Sequence, residues 1–185
     1  MRLAAARSGR YVELHPLPAH LHNSPAAIAP AVERLARRLL AEGKEVAVAY
    51  ADCGTYGRLD EMCRRLGLER LPGLHCYDLV AGEHAVAGLM EEEPGTYLLT
   101  DFLVASFDRL VVEPLGLDRR PELVADYFAH YRRVVWLTER PTPVLERAAA
   151  RAAARLGLPL ERRAVGDERV HRTVVRLLGS RRPGS

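Results

Sequence analysis

The chain has 185 residues, 48% of them hydrophobic and 28% charged, with a formal net charge of +3. A chain of this length buries roughly 70% of its unfolded surface, so it needs no disulfide or metal merely to fold. The mild charge and the scatter of its 26 arginines along several helical segments, against a single lysine at Lys44, argue against a nucleic-acid footprint.

The opening residues MRLAAARSGR hold no apolar core long enough for a signal peptide, and no stretch approaches the length of a membrane span. Three cysteines, Cys53, Cys63 and Cys76, are too few and too odd in number for a secreted disulfide framework. Together these features predict a cytoplasmic protein. RYVELHPL (10–17) reads as a first strand ended by Pro16 and Pro18. Ser24 then caps a helix with Pro25 at its first position, an apolar stripe at Ile28, Val32, Leu35 and Leu39, and Gly43 as the stop.

EVAVAYA (45–51) is short, apolar and nearly continuous, the pattern of a strand covered on both faces. Leu59, Met62, Cys63 and Leu66 form the next helical stripe, closed by Gly67. GLHCYDLV (73–80) is a further candidate strand, 81–93 a helix whose Glu91–Glu93 run is a solvated end, and GTYLLT (95–100) a short strand. Thr100 caps a helix carrying Leu103, Phe107, Leu110 and Val111. Pro121 opens another with Leu123, Tyr127, Phe128 and Tyr131.

RVVWLTE (133–139) reads as a buried strand, Thr142 and Pro143 open a helix that stops at Gly157, and LPLERRAV (158–165) reads as an edge strand. Val170, Val174 and Leu177 mark a last helix. Strands alternating with helices predict an α/β, three-layer, Rossmann-like domain over residues 1–178, its mainly parallel sheet having four to five strands, with 179–185 as a frayed tail.

In parallel sheets ligands bind beyond the carboxyl ends of strands, and ADCGTYG (51–57) occupies such a place after 45–51. Gly54 and Thr55 there, and Gly95 and Thr96 in EPGTYLLTDF (93–102), are expected to let backbone amides approach a cofactor or other ligand. Cys53 has three readings: a metal ligand, a nucleophilic or redox thiol, or a small buried residue. Cys63, on an apolar stripe, reads as core. His75 and Cys76 are adjacent, so on a strand only one of them faces the site. His22 precedes a helix start. Cys53, Cys76 and either His22 or His75 would supply the two thiolates and one imidazole of an open zinc or iron site, with Asp52 or Asp101 accepting a hydrogen bond from a ligand and orienting it, or acting as general base. His84, His130 and His171 read as ordinary structural or surface residues.

LPAHLHNSPAAI, VAYADCGTYGRLD, LPGLHCYD, EEEPGTYLLTDFLVASFD, LGLDRRPEL, YFAHYRRVVWL and AARLGLPLE run in an order, over about residues 17–170, that resembles the bacterial and archaeal family catalogued as domain of unknown function 1638. The resemblance implies a single α/β domain with a site made from its polar turns. Carried over by motif, the site positions are His22, Asn23, Asp52, Cys53, Gly54, His75, Cys76, Thr100 and Asp101. Relatives often occur beside corrinoid-dependent methyltransferase proteins, which implies methyl transfer, a corrinoid as a second cofactor and such a protein as partner. Family members commonly open with a strand ending in an Ala-Cys-Gly turn. This chain has MRLAAARSGR instead, so His22 or His75 would have to replace that ligand. The leading expectation is a metal-dependent enzyme or accessory protein acting on a small molecule. A non-catalytic cofactor- or partner-binding module and a metal-free thiol enzyme using Cys53 are the alternatives.

Overall fold

The computed structural model describes residues 11–179. In chain order the helices and strands are α1 (Pro25–Ala41), α2 (Arg58–Leu66), α3 (Cys76–Val80), α4 (Glu83–Glu92), β1 (Thr96–Thr100), α5 (Asp101–Ala105), α6 (Val124–Tyr127), β2 (Arg133–Thr138), α7 (Pro143–Leu156), β3 (Leu160–Ala164) and α8 (Glu168–Gly179). A 3-10 turn at Ala19–Asn23 precedes α1. The chain divides into two compact units: one runs to Leu79 and resumes at Glu168, and the other is Val80–Asp167. Of the expected tail at 179–185, Gly179 is the last residue of α8 and 180–185 lie outside the described residues, as does the departure at 1–10.

The second unit is regular. Its three strands form a parallel sheet in the order β1-β2-β3, with Leu98 opposite Val135, Leu99 opposite Trp136, and Thr138 opposite Ala164. Every residue of β2 is buried, whereas β3, at the edge, turns Arg162, Arg163 and Ala164 to solvent. α5 and α7 pack against each other. The caps read from Thr100 and Thr142 are present: their hydroxyls accept from the amides of Leu103 and Leu145 at 3.4 and 3.2 Å. The helix expected to continue through Leu110 breaks after Ala105 and resumes as a short π turn at Asp108–Val112. The Pro121 helix shortens to a 3-10 turn and the four residues of α6.

The first unit is irregular. Its core gathers Ile28, Val32, Ala36 and Leu39 of α1 with Leu59, Met62 and Cys63 of α2 around Val46 and Val48. Cys63 is 4% exposed, a core residue as its stripe predicts. Three local expectations are corrected here. Residues 11–17 form no strand, because Pro16 and Pro18 withhold the amides that a ladder needs. Ser24 makes no side-chain cap: the Ala27 amide, which its hydroxyl would serve, donates to Ser24 O at 2.8 Å instead.

Residues 73–80 are the third correction: they are a turn followed by α3 and not a strand. The Asp78 carboxylate captures the amides of Leu74 and His75 at 3.1 and 2.9 Å, winding the chain back on itself, and Gly73 supplies the turn with φ +101°. Residues 45–51 retain only an isolated parallel bridge, Val48 to Arg70. The sheet therefore has three strands among the described residues, fewer than the four to five expected. Glu92 and Glu93, expected to be merely solvated, have partners: Glu92 Oε1 lies 3.1 Å from Arg133 Nη1, and Glu93 Oε1 accepts from the Gly95 amide at 2.8 Å.

Candidate functional site

The bridge at Val48 continues into a pair of turns. The Val48 amide donates to Glu69 O (2.8 Å) and Leu71 N to Val48 O (3.0 Å). Further on, Asp52 N donates to Gly73 O at 3.1 Å and Cys53 N to Leu74 O at 2.7 Å. These bonds hold 52–53 alongside 73–74, and α3 starts two residues later at Cys76.

The 52–57 turn is an unusual backbone. Cys53 (φ +48°), Gly54 (+80°), Tyr56 (+52°) and Gly57 (+81°) all occupy the left-handed region, and two of the four carry side chains that disfavour it. Asp52 holds this geometry. Its carboxylate accepts from the Thr55 hydroxyl, from the Tyr56 amide at 3.0 Å and from the Gly57 amide at 3.1 Å. Burial pushes the Asp52 carboxyl up, but the Thr55 hydroxyl, the two amides and the Arg70 guanidinium more than offset it, and the group sits below the usual carboxylate range. The carboxylate thus takes up the amides of Tyr56 and Gly57, the Thr55 amide donates to the Asp52 carbonyl at 3.1 Å, and Thr55 is only 2% exposed.

Cys53 and Cys76 meet across the two turns. The backbone N–H of Cys76 lies by the sulfur of Cys53, and the amide of Tyr77 by the sulfur of Cys76. Burial raises the Cys53 thiol above its ordinary value, against the pull of the Cys76 amide. It pushes the Cys76 thiol to about 12, aided by Cys53 facing it. Tyr50, which the sequence reading passed over, lies beside both: burial and then the two thiols raise its hydroxyl to about 12. Arg70 is the nearby cation, with Nη2 on Asp60 Oδ2 at 2.8 Å and Nη1 on Leu71 O. All three cysteines are free thiols.

The histidines stand differently. His75 turns outward, its ring 59% exposed, 3.7 Å from Asp78 and stacked on Tyr77 at 6.3 Å. Burial lowers His22, so its imidazole is neutral at neutral pH. His22 and Asn23 lead into Pro25, whose ring meets the turn: a Cβ on Gly54 would stand 3.4 Å from Pro25 Cγ. Among the described residues no group of three or more His, Cys, Asp or Glu side chains is arranged to hold a metal ion. In this arrangement neither imidazole completes a ligand set with the two sulfurs.

The remaining candidates belong to the second unit, where they secure the fold. Asp101 follows β1; its Oδ1 accepts from the Trp136 indole at 2.9 Å and its Oδ2 from the Glu139 amide at 3.0 Å. Gly95 and Thr96 lie at the amino end of β1, away from the end where parallel sheets place ligands. A Cβ on Gly95 would stand 2.7 Å from His130 O, and Thr96 Oγ1 donates to Glu93 O (2.6 Å) and accepts from Arg133 Nε (2.9 Å).

The family model for Protein of unknown function (DUF1638) matches residues 16–174. The chain belongs to this family. The match takes in the Cys53 and Cys76 turns and the whole of the three-stranded sheet, as the motif order predicts. No curated protein and no solved structure matches the chain. Among the described residues no helix is long and apolar enough to cross a membrane.

Proposed function

We propose that the chain binds a small molecule at the paired turns 50–57 and 73–78, and that the Cys53–Cys76 thiol pair is the reactive centre of that site. The supporting observation is the pair of backbone bonds, Asp52 N to Gly73 O at 3.1 Å and Cys53 N to Leu74 O at 2.7 Å, that holds the Cys53 turn against the turn leading into Cys76. Around it, Tyr56 and Leu74 are exposed at 94% and 63%, giving the turns an apolar rim that an organic ligand can cover. Asp52 acts in this reading by fixing the turn that presents Cys53, and not as a base. Asp101 keeps its structural bonds. Both thiols are protonated at neutral pH, so each waits for a partner that takes its proton or replaces it with a soft cation.

Two forms of the reading differ in occupant. In the first the pair works without metal, which fits two sulfurs with no third ligand beside them among the described residues. In the second, favoured by the softness of two convergent thiols, Cys53 and Cys76 hold zinc or iron, and His22 must move to join them. A zinc or iron ion there would supply Lewis acidity. Corrinoid-linked methyl transfer, with a methyltransferase protein as partner, belongs to this second form and rests on the family resemblance. The low cysteine count supports a cytosolic setting for either. We also propose that 45–53, α2 and 69–74 are a rudimentary βαβ unit of the Rossmann-like kind, supported by the parallel bridge at Val48.

Titration of untagged protein with phenylarsine oxide tests the pairing, since a trivalent arsenical bridges only closely spaced thiols. One equivalent is expected to bind, to be lost in either Cys53→Ser or Cys76→Ser, and to be unchanged in Cys63→Ala. No binding to folded wild-type protein, or binding that survives Cys53→Ser, overturns the site. Elemental analysis of the same proteins separates the two forms: a stoichiometric ion, lost in both serine variants, establishes the metal.

A further inference from the structure

We infer that Cys53 and Cys76 form a reversible disulfide that closes this site. The inference rests on the reading of the two cysteines as the reactive centre and adds its regulation. Disulfide bonding needs two sulfurs that approach without backbone movement. Two sets of bonds bring the cysteine-bearing turns together. The bonds from Asp52 N to Gly73 O and Cys53 N to Leu74 O fix the two backbones side by side. Asp78 then winds the second chain, so that α3 starts at Cys76, two residues beyond the bond to Leu74. The three donors on the Asp52 carboxylate hold Cys53 in its left-handed conformation, so its side chain stays aimed at α3.

Access and selectivity agree with this. Cys53 and Cys76 are both partly exposed, whereas Cys63 is sealed in the core among α1 and α2 and cannot compete. The oxidant required is a low-molecular-weight disulfide. One protein thiolate attacks it, forming a mixed disulfide and expelling one small thiolate. The second protein thiolate then attacks the protein sulfur of that mixed disulfide, forms the Cys53–Cys76 bond and expels the second small thiolate. Two protein thiols are oxidised, the reagent is reduced to two thiols, and the two cysteine protons pass to the expelled sulfurs. A small dithiol reverses the sequence. In the oxidised form neither sulfur is available to a ligand or a soft cation, so the bond switches the site off.

Full-length protein, freed of metal by chelator, is incubated with oxidised glutathione, then denatured, alkylated and digested with trypsin. The three cysteines fall in separate tryptic peptides, residues 45–58, 59–64 and 71–109. The expected product is one cross-link between 45–58 and 71–109 with 59–64 fully alkylated, removed by dithiothreitol, together with loss of arsenical binding. Cys53→Ser is expected to stop at a mixed disulfide on Cys76 while 59–64 stays free of glutathione, the protection of Cys63 showing that the variant keeps its core. Glutathione adducts without the cross-link in wild-type protein, a cross-link to 59–64, or no oxidation at all overturns the inference. Arsenical binding without a cross-link removes the disulfide and leaves the thiol-pair site standing; loss of both removes the site itself.

Discussion

Two aspartates follow two strand-like runs, Asp52 after 45–51 and Asp101 after β1, and each closes the turn behind it with its carboxylate. The turns they close differ. Asp101 bonds the Trp136 indole and the Glu139 amide, reaching from one sheet strand to the end of the next, in a unit where every strand is regular. Asp52 bonds only its own loop, Thr55, Tyr56 and Gly57, and the result is a left-handed backbone that turns a thiol toward a second thiol. The same residue type in the same topological place ties sheet strands together in one unit and shapes the turn that carries Cys53 in the other. Polar groups committed to long-range bonds have nothing left for a ligand, whereas a locally closed turn leaves its neighbouring side chain free to meet another element.

Asp101→Ala tests the first half of this comparison and carries the largest expected effect. It strands the indole N–H of Trp136, a residue 1% exposed, together with the Glu139 amide, so it should cost about 3 kcal/mol of unfolding free energy. Chemical denaturation measures that loss. Arsenical binding at Cys53 and Cys76, measured well below the midpoint, should stay at one equivalent. A loss of stability under about 1 kcal/mol would show that Asp101 is free for other work.

Asp52→Ala is the matched perturbation, with a smaller stability cost of about 2 kcal/mol, because two of its three donors, the Tyr56 and Gly57 amides, belong to exposed residues that can reach water. Here the thiols should respond: once the turn relaxes, arsenical bridging slows and the disulfide forms less readily. The acid dependence follows from the same bonds. Asp52 has a lower pKa folded than unfolded, so its contribution is present above the usual carboxylate range and is lost as pH falls through the folded value. The stability difference between wild type and Asp52→Ala should therefore narrow on acidification below that range. A difference that stays constant with pH would mean that the carboxylate is not what closes the turn.

The contrast also explains which parts of the molecule are legible in the sequence. The second unit is written in periodicities. Val134, Val135, Trp136 and Leu137 form a buried run, Thr142–Pro143 announces α7, and Gly157 ends it in the left-handed region. Each signal is local and each is realised. The first unit is assembled from contacts that no period encodes. GLHCYDLV has the composition of a strand, yet Asp78 captures two upstream amides and makes it a turn and a helix. Nothing in the spacing of Cys53 and Cys76 says that they converge; the bridge at Val48 brings them together. Tyr50 carries one signal that could have found it, since it closes an apolar run three residues before Cys53. Nor does the spacing of Asp52 show that its carboxylate takes the Thr55 hydroxyl and the Tyr56 and Gly57 amides.

The smallest expected effect concerns rates and leaves stability untouched. Burial holds the Cys53 thiol above its ordinary value and Cys76 at about 12, so at neutral pH both are almost wholly protonated. The thiolate is the nucleophile, so alkylation by iodoacetamide should be slower than for a free cysteine at pH 7. It should rise about tenfold per pH unit from 7 to 9 without a plateau, because the reactive fraction grows in that proportion below the pKa. Peptide mapping assigns the rates, with residues 45–58 and 71–109 reporting the pair and 59–64 reporting Cys63, which should stay unreacted until the protein unfolds. A plateau below pH 8 on either peptide would mean that a cation stands close enough to stabilise the thiolate, Arg70 being the nearest candidate for Cys53. Arg70→Gln would then be expected to remove that plateau, and the thiol pair would have to be understood as a nucleophile poised at neutral pH and not as one that waits for its partner.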